Sequence, residues 1–361
     1  MALPDAAISH PFPDPPALGE VRLIAQGVWW LRMPLPMALD HVNVYVLDDG
    51  AKALTVVDTG LDGRKGRALW DQLLAGPFAG KRVWRVIATH HHPDHIGLAG
   101  WFQARGAELW ATRTAWLMAR MLVLDDQALP SPETLGFWRA AGMDAARLDR
   151  RSAERPFNFA DCVTRLPLGF HRLSQGDVVD IGGRRWDVHL GGGHAPDHAT
   201  FWSRDDALVI GGDQLLPGIS ANLGTYASEP DADPVADWLE SCTRLSALAR
   251  PDQLVLPGHK LPFTGLPFRF GQMIENHHAA LARLYEYLAT PKVAVACFQP
   301  LFRRRVGEGE YGLALVEAVA HLNHLYRAGL VSRQRRADGA WLWQQARPKP
   351  GPASQLTLST P

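Results

Sequence analysis

The chain has 361 residues, 47% of them apolar and 20% charged, enough to bury a large core and ordinary for a soluble globular protein. Its 37 basic residues balance 37 acidic ones, which excludes a chain-wide field that would draw in nucleic acid or an anionic membrane. Three scattered cysteines, Cys162, Cys242 and Cys297, exclude a disulfide framework or a cysteine-rich zinc knuckle and are expected to be free thiols.

The start, MALPDAAISHPFPDPP, has neither the basic nor the apolar region of a secretion signal, and no apolar run reaches spanning length, so a cytoplasmic protein without membrane contact is expected. Residues 1–19, rich in proline, read as a flexible arm. Strands are expected over 21–30, 42–47 and 54–57, the last two joined by the turn Asp48-Asp49-Gly50. Asp58-Thr59-Gly60 closes the third, and a helix over about 62–74 follows. The apolar run 83–88 reads as a buried strand that delivers the chain into Thr89-His90-His91-His92-Pro93-Asp94-His95. Pro93 disfavours helix in the residue before it, so 90–94 should be a tight loop with a helix starting near Asp94. A short strand at 109–111 and helices over 113–124 and 132–146 come next, and the stretch of about 112–170 reads as a helical insertion over one side of the core.

From Asp177 the pattern is short strands again, at 178–181, 184–190, 200–203 and 207–210, then a helix over 234–248 and a strand at 253–256. Repeated strands with interspersed helices favour two sheets faced by helices. After about 265, helices over 270–289 and 311–328 precede a hairpin, 331–334 with 340–344, around Asp338-Gly339. The expected organisation is therefore a catalytic domain over 20–265, a winged-helix-like module over 266–346 and a disordered tail over 347–361.

Four strand ends carry side chains suited to a metal: His90–His95, His194 after Gly191-Gly192-Gly193, Asp213 after Gly211-Gly212, and His259 after Pro257-Gly258. Neutral imidazoles and carboxylates are ligands for divalent ions, and glycine permits the close backbone approach such a centre needs. The ordered set HHHPDH, GHAPDH, GGD and PGH resembles the metallo-β-lactamase-fold hydrolase superfamily, in particular the subgroup with a C-terminal winged-helix-like domain. That resemblance implies an α/β fold, an αββα sandwich with two metal ions at the edge of its sheets. It implies His90, His92 and His194 around the first ion, Asp94, His95 and His259 around the second, and Asp213 between them. Zinc suits an imidazole-rich set best, with manganese or iron as alternatives. Asp94 and Asp213 would position the attacking hydroxide, Asp58 would support the metal loop from behind, and His91 would stand aside.

His198 and Tyr226 are candidate substrate contacts, and Trp116, Phe137, Trp138, Phe157 and Phe159 could line an apolar pocket or fill the core. The expected reaction is hydrolysis of a small acyl substrate, an ester, thioester or lactone. The alternatives are a phosphodiesterase or RNA endonuclease, using Arg303–Arg305 and Arg333, Arg335 and Arg336, and a noncatalytic metal-containing regulatory protein. Glutathione thioesterases of this superfamily read GHTPGH where this chain has GHAPDH, a departure at Ala195 and Asp197. The C-terminal helices offer a surface for a homodimer.

Overall fold

The computed structural model describes residues 8–50 and 52–346. Seven strands form one sheet in chain order: β1 (Arg22–Ala25), β2 (Val28–Pro34), β3 (His41–Asp48), β4 (Ala53–Val57), β5 (Arg82–Ile87), β6 (Glu108–Thr112) and β7 (His171–Leu173). The first four run antiparallel, and β4 to β7 are parallel. A second sheet has the order β12-β11-β10-β9-β8, built from β8 (Val178–Ile181), β9 (Arg184–Gly191), β10 (His198–Ser203), β11 (Leu208–Gly212) and β12 (Leu254–Pro257). Seven consecutive buried residues in β3, and five in β11, mean that these strands are covered on both faces.

The inner faces meet through Trp30, Tyr45 and Ile87 on one side and Trp186, Val188, Phe201 and Ile210 on the other. Helices α1 (Arg64–Ala75), α2 (Pro93–Ile96), α3 (Ala99–Gln103) and α4 (Arg113–Leu124) follow the first sheet, and Trp70, Phe102 and Ala119 from this layer cover Val44, Val46 and Val56. Beyond α5 (Pro132–Ala140) and α6 (Ala145–Ser152), the second sheet is covered by α7 (Pro234–Ser246), α8 (Leu266–Tyr287), α9 (Phe298–Phe302) and α10 (Tyr311–Arg327), with the hairpin β13 (Val331–Arg335) and β14 (Trp341–Gln345). Trp202 and Val255 of the sheet share one apolar core with Trp238, Phe270, Leu315 and Trp343. The result is the expected αββα sandwich with a C-terminal helical region and hairpin.

Four local expectations need correction. The stretch 21–30 is two strands, because Gly27 at φ +69° turns the chain between β1 and β2. The helix expected over 132–146 breaks at Gly142, at φ +86°, and Asp144 caps the new helix α6 by accepting from the Arg147 N–H at 2.9 Å. Three-residue β7 escaped notice because so short a run has no readable period. Within the expected arm, residues 8–19 are fixed: Ser9 and Thr264 exchange backbone hydrogen bonds, and Ile8 and Phe12 dock on apolar clusters. Residues 1–7 and the expected disordered tail at 347–361 lie outside the described residues. All three cysteines are free thiols, and no described helix is long and apolar enough to cross a membrane.

The helical layer contains a buried titratable pair, His277 on α8 and His321 on α10, with ring centroids 5.6 Å apart and planes at 24°. Burial lowers His277 to about 3 and His321 to about 4. Both are neutral in the folded protein near pH 5, whereas in the unfolded chain they bind protons near pH 6.5. Their stabilising effect is complete above that pH and is lost as pH falls towards their folded values, by on the order of 2 kcal/mol each at pH 5. Urea midpoints at pH 7.5 and pH 5 should show this fall. His321→Gln should show a smaller one, and an equal fall in both proteins would refute the assignment.

Candidate metal centre

The centre lies where the sheets meet. Beyond β5 the chain turns under the control of Asp58, which is 3% exposed and holds a left-handed backbone at φ +61°. Its carboxylate accepts from the Thr89 N–H at 2.8 Å and the Thr89 hydroxyl at 2.9 Å, and receives His95 Nδ1 at 2.8 Å. Pro93 opens α2, and Thr59 and Gly60 donate to the His95 and Asp94 carbonyls, so the loop is pinned from both sides. Across the gap, the Ala199 N–H of β10 donates to the Thr89 carbonyl at 2.8 Å.

The three remaining donors follow β9, β11 and β12. His259 Nδ1 donates to the His41 carbonyl at 2.8 Å, while Asn43 and Tyr45 of β3 donate to the Pro257 carbonyl. Gly258 is required here, since a Cβ on it would lie 2.2 Å from Asp213 Oδ1 and 2.8 Å from the His95 ring. At Gly193, φ +96°, a Cβ would strike Trp238 at 2.5 Å, so the turn that presents His194 can seat against α7 only without a side chain.

All seven expected ligands converge. His90, His92 and His194 form one group, Asp94, His95 and His259 another, and His90, His95 and Asp213 a third; within each, the donor atoms lie within 4.8 Å of one another. His92 Nδ1 is 3.0 Å from both His90 Nε2 and His194 Nε2. Asp213 Oδ2 lies 3.4 Å from His194 Nε2 and His95 Nε2, and 3.3 Å from His259 Nε2. Asp94 Oδ2 is 3.3 Å from His259 Nε2.

This donor set fits divalent cations. The Nδ1–H groups of His194 and His259 are used on backbone carbonyls, which leaves the Nε2 of each ring as the atom facing the cluster. His95 Nε2 and Asp213 Oδ1 are buried with no hydrogen-bond partner among the described residues, a costly arrangement unless a cation completes it. Burial drives His90 and His92 well below the usual imidazole range, so both present neutral nitrogens. In the other half burial works against charge but is outweighed: Asp213 and Asp94 raise His259 to about 10, and His259 and His95 hold Asp213 well below the usual carboxylate range. That half of the site favours bound positive charge.

The candidates outside the ligand set divide differently. His91 stands aside, its ring stacked on Phe159 at 6.3 Å and 10°. His198 does not reach substrate: it is fully buried, stacks on His90 at 4.6 Å, and its Nε2 accepts from the Asp213 N–H at 3.1 Å. As the first residue of β10 it lies inside the sandwich and supports the donors from beneath. Tyr226 is 49% exposed on the irregular segment after Asp213 and stays a candidate contact. Phe137 and Trp138 pack against the C-terminal core, and Trp116 stacks on Phe170. Asp197 adopts φ +52° and its carboxylate bonds the Thr114 hydroxyl at the start of α4, which accounts for an aspartate at a position that glutathione thioesterases fill with glycine. Sequence reading missed His41 and Asn222, which hold His259 and His194 through backbone carbonyls and so leave no side-chain signature.

The model of the metallo-beta-lactamase superfamily matches residues 37–259, more than half of the chain, and so includes all seven donors. The chain belongs to the metallo-beta-lactamase superfamily. Residues 281–346 match a metallo-beta-lactamase-like C-terminal domain. A beta-lactamase domain protein from Burkholderia ambifaria is 36% identical with a TM-score of 0.86, over 94% of this chain and 98% of that one. A metallo-beta-lactamase family protein from Thermus thermophilus is 27% identical with a TM-score of 0.75, over 90% and 100% of the two chains. Among curated relatives, the probable metallo-hydrolase YqjP of Bacillus subtilis is 27% identical over 84% of this chain and 93% of its own length. The human acyl-coenzyme A thioesterase MBLAC2 is 24% identical over 66% and 80%. As a superfamily member with this donor cluster, the protein is a metal-dependent hydrolase whose cofactor is a divalent metal.

Proposed function

We propose that this superfamily member hydrolyses an acyl substrate, an ester, thioester or lactone, with two zinc ions. The observation that carries the two-ion reading is Asp213, whose Oδ2 stands at 3.3–3.4 Å from nitrogens of both His groups. His90, His92 and His194 would hold one ion, Asp94, His95 and His259 the other, with Asp213 shared. When bound, such ions polarise a scissile carbonyl and bring the pKa of water towards neutrality.

The chain's own contribution is orientation. Asp58 fixes the His95 tautomer, His41 and Asn222 fix those of His259 and His194, and His198 holds the Asp213 backbone. Asp94, its side chain 21% exposed, faces the open side from which substrate and water arrive. Beside it, Phe159 covers His91 and meets Phe157, which is 68% exposed, at 6.0 Å. An apolar wall next to the donors supports an acyl group as the substrate's reacting part, and the relationship to an acyl-coenzyme A thioesterase points the same way.

Nucleic acid is less well served. Arg304 pairs with Glu310, Arg333 with Asp231 and Arg336 with Asp338, so half of the six arginines in these runs are engaged by carboxylates. We further read 20–265 as the catalytic domain and 266–346 as a winged-helix-like module resting on it.

The test is a hydrolysis panel under defined zinc, with acyl thioesters, lactones, aryl esters, bis-nitrophenyl phosphate and short RNA, run beside Asp94→Ala and His259→Ala. Acyl turnover that needs metal and falls by about 100-fold or more in both variants is expected. Diester or RNA cleavage without acyl turnover would refute it.

A further inference from the structure

His194 differs from the other supported imidazoles in where its support comes from. His95 leans on Asp58 and His259 on the His41 carbonyl, both parts of the first sheet's strand ends. His194 Nδ1 donates at 2.9 Å to the carbonyl of Asn222, which lies in the segment between β11 and α7 that has no helix or strand of its own. Arg269 of α8 holds the start of that segment by donating to the Leu216 and Ile219 carbonyls, and from Asn222 onward its partners are on α10. The Asn222 side-chain amide donates to Glu317 Oε2 at 2.6 Å and to the Leu313 carbonyl at 3.2 Å, both on this helix. Further along, the Thr225 N–H donates to the Val316 carbonyl, Asn323 donates to the Pro230 and Ala232 carbonyls at 3.0 Å, and His324 contacts Asp233 at 3.1 Å. The segment is laced along about three turns of α10, from the helix's first turn to its last.

We propose that Glu317 is a positioning residue for the metal centre: by holding Asn222 it fixes the carbonyl that orients His194, so the C-terminal helix completes a site whose ligands all lie outside the C-terminal region. This rests on His194 being a ligand. Glu317 is half-buried, and its use here has a geometric reason. The Asn222 backbone carbonyl meets His194 while its side-chain amide is anchored on α10, so one residue ties the imidazole to the helix. Glu317 supplies an acceptor oxygen there, and the Leu313 carbonyl supplies a second. Gln at 317 would retain an acceptor oxygen within reach; Ala would remove it.

The experiment is titration of metal-stripped full-length protein with cobalt(II), following the ligand-field absorption, for wild type, Glu317→Ala, Glu317→Gln, Asn222→Ala and the Glu317→Ala/Asn222→Ala double variant. Circular dichroism confirms folding. One cobalt-binding step should weaken by about 10- to 100-fold in Glu317→Ala, the range for loss of a support behind a metal-bound histidine. The other step should hold, Glu317→Gln should remain near wild type, and the double variant should lose no more than the worse single one, since both act through one carbonyl. Wild-type affinity in folded Glu317→Ala, or equal weakening of both steps, would overturn the proposal. Should Glu317→Ala not fold, Asn222→Ala carries the same test, because it keeps the carbonyl and removes only its anchor. A wild type that binds no cobalt would instead refute the metal reading itself.

Discussion

Asp213→Ala should lower kcat on the acyl substrate by roughly 1,000-fold or more, on the order of 4 kcal/mol of barrier, and reduce the bound metal from two equivalents to one or none. One carboxylate oxygen lies 3.3–3.4 Å from three imidazole nitrogens that belong to both donor groups, so in the proposed two-ion centre its removal would strike both ions at once. Asp213→Glu should fail nearly as badly although it keeps the charge. The opposite oxygen already occupies the hollow left by Gly258, 2.2 Å from where a Cβ would stand, and another methylene has no room. Steady-state kinetics with elemental analysis of the same samples checks both variants. More than a tenth of wild-type kcat with two ions retained in Asp213→Ala would defeat the shared-ligand assignment.

Asp58→Ala should be the most destabilising single change near the site, by about 3 kcal/mol or more in the metal-free protein. The substitution leaves the Thr89 N–H and His95 Nδ1 buried and unsatisfied, each such loss costing roughly 1–3 kcal/mol, and leaves the Thr89 hydroxyl with His90 Nδ1 alone. It also places alanine at φ +61°, a region alanine resists more than aspartate or asparagine. Asp58→Asn keeps one acceptor oxygen and tolerates the backbone, so about half of the loss should return. Urea unfolding measures the stability, and metal titration should show affinity down by about 10- to 100-fold in Asp58→Ala. An Asp58→Ala protein as stable as wild type would show that the Thr89 turn does not depend on this carboxylate.

The donors were legible because sequence and fold agree at those points. A short strand run that stops abruptly and gives way to histidine or aspartate has few uses other than placing a polar side chain at a sheet edge; 83–90 does so through Thr89, and 184–194, 207–213 and 253–259 do so through glycine. His198 was misread for a related reason: four residues after His194, it suggested a second side chain at the rim. The turn through Ala195, Pro196 and Asp197 instead brings it back as the opening residue of β10, where β10 pairs His198 with Gly191. The supports at His41, Asn222 and Glu317 were not legible at all. Two act through backbone carbonyls that every residue has, and the third reaches the site only because α10 is packed against a segment about a hundred positions earlier in the chain. Likewise Gly142 interrupts an otherwise helical pattern, and only its positive φ shows that it ends one helix rather than being carried within it.

The division of the ligands between the sheets has one more consequence. His90, His92, Asp94 and His95 follow β5 of the first sheet, His194, Asp213 and His259 follow strands of the second, and each of the three donor groups takes members from both. Neither layer alone owns a complete group. With metal held as proposed, metal affinity would gauge the spacing of the two layers, and the metal would act as a clasp whose binding energy is also energy of closing the sandwich. Damage to the interior far from any ligand, at Trp186 or Phe201 for instance, would surface first as weakened metal binding, before any loss of secondary structure.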